Sequence, residues 1–125
     1  MGLLSGLMGK EGVVAVNKLQ SEYEQLLVDG EIVDVGFQVS RDTFLFTSKR
    51  LIVINIQGVS GKRVEYLSIP YAKINKFSVE ATGQFDLEAE LKIWIGNDSA
   101  PLTKKFNSEV SIYDLQKVLA KHLIK

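Results

Sequence analysis

From Glu31 to Asn107 apolar residues recur at every second position, in seven short runs separated by turn signals. That period confines most of the chain to strands with alternating faces. Residues 31–39 put Val33, Val35, Phe37 and Val39 on one face and Asp34, Gly36 and Gln38 on the other. Ser40-Arg41-Asp42 turns into 43–47, where Phe44 and Phe46 share a face. The third run, 50–57, is apolar on both sides, with Ile52, Ile54 and Ile56 opposite Leu51 and Val53. Such a strand needs cover on both faces. A glycine-rich loop over 57–62 leads to 63–69, and Pro70 ends that run because it has no N–H for a ladder. A fifth run, 74–81, centres on Ile74, Phe77 and Val79. Residues 86–95 alternate most regularly, with Leu87, Ala89, Leu91, Ile93 and Ile95 inward and Asp86, Glu88, Glu90, Lys92 and Trp94 outward. The seventh run, 101–107, passes through Leu102 and Phe106.

Helical spacing flanks this β region. Over 12–28 an apolar stripe of Val16, Leu19, Tyr23, Leu26 and Leu27 recurs at steps of three and four, and Asp29-Gly30 stops it. Over 111–124 the stripe is Ile112, Leu115, Val118, Leu119 and Leu123, with Ser111 and Asp114 close to a capping box. The 125 residues suffice for one core. The expected organisation is a helical extension over 1–30 and a mainly β domain over 31–125.

An ordered set of short motifs runs through that plan. It begins with Phe46-Thr47-Ser48-Lys49-Arg50-Leu51-Ile52 and Gly58-Val59-Ser60-Gly61-Lys62, then Tyr66-Leu67-Ser68-Ile69-Pro70-Tyr71. It continues through Ile74, Phe77, Glu80 and Gly83 to Asp86, Glu88, Glu90-Leu91 and Ile93-Trp94. In these motifs the chain resembles the bacterial pleckstrin-homology (PH) family. The resemblance implies a PH-like bent seven-stranded antiparallel sandwich or barrel, closed by a C-terminal capping helix and preceded by an N-terminal helical extension. It also implies a small cytoplasmic domain that assembles into symmetric, pentameric rings and has no assigned catalytic activity.

The residue inventory removes most chemistries. There is no cysteine and one histidine, His122, so thiolate nucleophiles, Cys-ligated metals and a His-based metal site are not expected. No Ser or Thr can be given both a base and an orienting group, so no catalytic residue is assigned and a non-enzyme is expected. No cofactor is implied. Fifteen basic residues balance fifteen acidic ones, which argues against nucleic acid as a partner. The apolar start Gly2–Gly9 is too short for a spanning helix and lacks the charged lead of a secretory signal, so a cytoplasmic location is the default.

Two surfaces are candidates. Trp94 stands on the polar face of its strand, and the two-sided run 50–57 holds more apolar surface than one helix readily covers. Trp94, Ile52, Ile54, Leu19 and Tyr23 are therefore the expected homo-oligomer interface, since Trp is enriched among interface anchors. The competing surface is an anionic-ligand patch of Lys49, Arg50, Lys62 and Arg63, which with the apolar N-terminus would suit a membrane. Charged hairpin ends are commonly just solvated, so self-association and an unidentified protein partner are the favoured expectation. Asp86, Glu88 and Glu90 form a carboxylate row on a regular strand without a ligand-bearing loop, which fits a solvated face.

Overall fold

The computed structural model describes residues 15–39, 41–82, 88–106 and 112–124. After helix α1 (Val16–Glu22) and a 3-10 turn (Glu24–Leu26) come β1 (Val33–Val39), β2 (Asp42–Thr47), β3 (Arg50–Gln57) and β4 (Arg63–Pro70). A second 3-10 turn (Tyr71–Lys73) leads to β5 (Ile74–Thr82), β6 (Glu88–Ile95) and β7 (Leu102–Phe106), and α2 (Ile112–Leu123) closes the order. Among the described residues the strands make two antiparallel sheets in sequence order, β1-β2-β3-β4 and β5-β6-β7. The mainly β plan of seven strands and a C-terminal helix is thus present.

Alternation builds the main core between the sheets. Val35, Phe37, Phe44, Phe46, Leu51, Val53, Ile69, Leu91 and Ile93 are buried there, closed by Leu115, Val118 and Leu119 of α2. Phe37 stacks on Phe44 at 5.2 Å and on Phe46 at 6.0 Å. An ion pair ties the sheets: Lys104 Nζ of β7 lies 2.6 Å from Asp42 Oδ2 at the start of β2.

A second, separate core lies on the outer face of the four-stranded sheet. Leu19, Val33, Leu45, Ile52 and Ile54 are buried there, flanked by Val16, Tyr23, Leu26 and Leu27. Val33 departs from the expected common face with Val35 and Phe37. The register shifts between Val33 and Val35, which pair with Thr47 and Phe46, and this bulge turns Val33 to the outer side. Gly36 supplies the notch for α1, because a Cβ built there would overlap Leu19 Cδ1.

The helix expected over 12–28 is shorter within the described residues, which begin at Ala15. Tyr23 ends it at φ −108°, ψ 21°, and Leu27 is extended. The stripe still serves its purpose, since Val16, Leu19, Tyr23, Leu26 and Leu27 all line the second core. Beyond the helix, the carbonyl of Leu26 at the end of the 3-10 turn accepts from Arg50 Nη2 at 2.8 Å.

Candidate functional site

The junction between α1 and the sheet is organised by one buried carboxylate. Glu31 follows Gly30, whose φ of +85° turns the chain into β1, and only 2% of its surface is exposed. Arg50, at the start of β3, grips both carboxylate oxygens, Nε at 3.0 Å and Nη2 at 3.1 Å. Thr47 Oγ1 donates to Glu31 at 2.6 Å and the Val28 N–H donates at 3.1 Å. Burial alone would raise the Glu31 carboxyl. The Arg50 and Thr47 hydrogen bonds, the Val28 amide and the Arg50 charge outweigh it and hold the group at about 2. Gln20 of α1 completes the junction, donating to the Glu31 carbonyl at 3.1 Å and accepting from the Val33 N–H at 2.7 Å.

This geometry removes Arg50 from the expected anionic-ligand set, because its fork is already filled. Lys49 is exposed beside it, whereas Lys62 and Arg63 lie at the far end of the β3–β4 hairpin, where Gln57 pairs with Arg63. Seven steps along β3 separate the two pairs by about 23 Å, so the four do not form one patch. At that far end Arg41 joins Lys62 and Arg63 instead, its guanidinium lying over Gly61 of the hairpin, while Val59 at the tip is fully exposed.

The expected interface residues also divide. Leu19, Ile52 and Ile54 are 3%, 0% and 3% exposed, buried by packing within the chain, so they are not the open surface that the two-sided strand suggested. Tyr23 is half-buried at the lip of that core, and burial, followed by the nearby Glu22, pushes its hydroxyl pKa up. Trp94 is half-buried on the outer face of the three-stranded sheet, with Lys76 Nζ 4.7 Å from its ring centroid. Glu90, on the same face, lies 3.7 Å from Lys92; Asp86 lies outside the described residues.

What α1 leaves uncovered is an apolar groove of about 510 Å³ on the outer sheet face. Glu22, Tyr23, Gln25 and Leu26 line it from the helix side, and Ile54, Ile56, Val64 and Tyr66 from the sheet. Val64 is 40% exposed and Tyr66 54%. Register places Tyr66 across from Ile54 and Val64 across from Ile56, so the groove continues the second core to the sheet edge. There β4 pairs only with β3 among the described residues. Neither Val64 nor Tyr66 is among the interface residues expected from the sequence, although their alternation with Arg63 and Glu65 could have pointed to them.

His122 belongs to the scaffold. Its ring lies 5.0 Å from Phe46 and 6.1 Å from Tyr71, and its two nitrogens face the Val118 carbonyl at 2.9 Å and Asp34 at 3.5 Å. Tyr71 donates its hydroxyl to the Thr47 carbonyl at 2.6 Å. Burial, with Asp34 nearby, raises the Tyr71 hydroxyl pKa well above its ordinary value. Among the described residues no cluster of carboxylates and imidazole is placed to hold a metal, and no helix is long and apolar enough to cross a membrane.

Comparison with known proteins agrees with this architecture. The uncharacterised protein YjqA of Bacillus subtilis is 46% identical over 121 residues, covering 96% of this chain and 97% of its own. A second uncharacterised B. subtilis protein, YozO, is 31% identical over 100 residues, covering 80% and 85%. The crystal structure of a pleckstrin homology domain from Shewanella amazonensis superposes with a TM-score of 0.81 at 42% identity, covering 89% of this chain and all of that one. A DUF1696-family protein with a pleckstrin-homology domain from Shewanella loihica gives 0.80 at 39% identity, covering 94% and 100%. Residues 2–123 match the sequence profile of the bacterial PH domain, and the chain belongs to that family.

Proposed function

We propose that this chain is a non-enzymatic, homo-oligomeric binding and scaffold module that acts through protein–protein contacts. The bared groove of Ile56, Val64 and Tyr66, beside the edge of β4 that pairs with no strand among the described residues, carries the reading. It joins exposed apolar and aromatic surface to free backbone donors and acceptors, a combination suited to contact with another chain. A ring, pentameric as the family resemblance implies, uses two different patches on each subunit. Trp94, on the opposite outer face of the sandwich, is the second patch. Zero net charge favours the approach of identical copies.

Light scattering on a sizing column at high micromolar concentration tests this. A mass of several chains is expected, and a strict monomer overturns it. Tyr66→Arg and Trp94→Ala should each lower the mass while leaving the β-sheet circular dichroism unchanged. Unchanged mass in both variants rejects these patches as the contact.

A second reading, a peripheral membrane module binding anionic headgroups, is favoured by one observation. Arg41, Lys62 and Arg63 share the hairpin end at which Val59 is fully exposed. Cations around an apolar tip suit an anionic bilayer surface. This reading predicts sedimentation with anionic liposomes that fades as salt rises and is lost in Val59→Asp. No pelleting at low salt disposes of it.

A further inference from the structure

Where the start of β5 meets the end of α2, a narrow apolar crevice of about 220 Å³ opens to solvent. Ile74, Asn75, Lys76 and Phe77 line it from the strand, and Leu123 and Ile124 from the helix end. Four consecutive residues of a strand cannot share a face, because side chains alternate. They line one crevice only where it follows the edge of the strand, so main chain borders it as well as side chains. β6 covers one edge of β5, and among the described residues no strand pairs with the other. The floor is anchored, since Ile74, Phe77 and Leu123 pack on the inner core. Ile124 stands 63% exposed at the lip, its N–H donating to the Ala120 carbonyl at 3.0 Å.

Charge around this crevice is one-sided. Residues 71–79 and 115–124 hold Lys73, Lys76, Lys117 and Lys121 and no aspartate or glutamate, in a chain whose charges cancel overall. Lys76 Nζ rests 4.7 Å from the Trp94 ring centroid. Lys73 and Lys121 are exposed, and neither forms an ion pair among the described residues.

We propose that β5 takes up an extended acidic segment of a partner protein, which adds as a strand to the open edge and sets one apolar side chain in the crevice. Strand addition joins main-chain hydrogen bonds, which give affinity, to a pocket for a side chain, which gives selectivity. A crevice of this size admits one side chain rather than the face of a helix. The lysines favour carboxylates on either side of that anchor and repel a basic segment. A single chain carries the whole site, so the proposal does not depend on self-association.

Defined peptides test it by fluorescence anisotropy and hydrogen exchange. The probe is a labelled peptide of alternating Val and Thr around one central Leu, with Glu at both ends. One control carries Lys in place of Glu, and another carries Pro in place of Thr, which removes backbone donors. The Glu peptide should bind saturably, and more weakly as salt rises. In its presence the amides of β5 should exchange about tenfold more slowly, while those of β4, the edge strand of the other sheet, should not change. The Lys and Pro peptides should each bind about tenfold more weakly, or not at all. Ile124→Asp, and Lys73→Glu combined with Lys121→Glu, alter only exposed side chains. Each should leave the circular dichroism unchanged and weaken the Glu peptide about tenfold.

No saturable binding of the Glu peptide overturns the proposal. Equal binding of the Pro peptide also overturns it, since charge alone would then be read. Protection gained in β4 rather than β5 does the same. Should a variant lose its sheets, the three peptides on the unaltered chain decide on the same terms.

Discussion

Arg50→Met should lower the unfolding free energy by about 3–5 kcal/mol, because it leaves the Glu31 carboxylate buried without its cation. Glu31 has 0% side-chain exposure, so water cannot replace the fork that Arg50 provides. Urea unfolding followed by the fluorescence of Trp94, the single tryptophan, measures this at fixed protein concentration. The pH dependence gives a sharper signature. Glu31 is held at about 2 in the folded chain against 4.5 as its ordinary value. A carboxyl depressed by folding contributes stability above its unfolded pKa and loses it as pH falls through the folded one. The unaltered chain should therefore lose about 3 kcal/mol from this group between roughly pH 5 and pH 2. Without Arg50 most of that dependence disappears, so the gap between the two proteins should narrow as pH falls. A gap that stays constant from pH 7 to pH 2 would mean that the pair does not work as described.

Why that pair escaped the sequence is a matter of distance along the chain. Glu31 and Arg50 stand 19 positions apart, on either side of a hairpin. Hydrophobic period says nothing about which charges meet. The inner core was legible because a half-buried strand must alternate, and Phe37, Phe46, Leu91 and Ile93 lie where alternation puts them. Val33 was misplaced because alternation counts residues, and a bulge adds one without leaving a mark in composition. For the outer core each half was visible alone: Ile52 and Ile54 needed cover, and Val16, Leu19 and Tyr23 formed a stripe. That the stripe covers those isoleucines follows from the Gly36 notch, whose meaning appears only when β1 and α1 are in contact. The groove was hidden for a related reason. It exists because α1 ends at Glu22, and the helical stripe through Leu27 suggested a longer cover.

Phe46→Ala is expected to be as damaging as the loss of Arg50, and its comparison with Leu19→Ala tests the two-core architecture. Phe46 is fully buried, 6.0 Å from Phe37 within the sheet and 5.0 Å from His122 of α2. Truncating a phenylalanine in such a setting costs about 3–5 kcal/mol through lost contacts and the cavity left behind. Because its neighbours span both β1 and α2, the cost should fall on the global transition. Every core amide should then exchange faster together, and the urea midpoint reported by Trp94 should drop. Leu19→Ala removes a buried side chain too, worth about 2–5 kcal/mol at a typical core site. Its contacts lie in the separate outer core, so the loss should appear first as opening of residues 16–27. The Trp94 midpoint should then move by less than it does in Phe46→Ala. Equal shifts in that midpoint, with uniform loss of amide protection in both variants, would show that the two cores unfold as one.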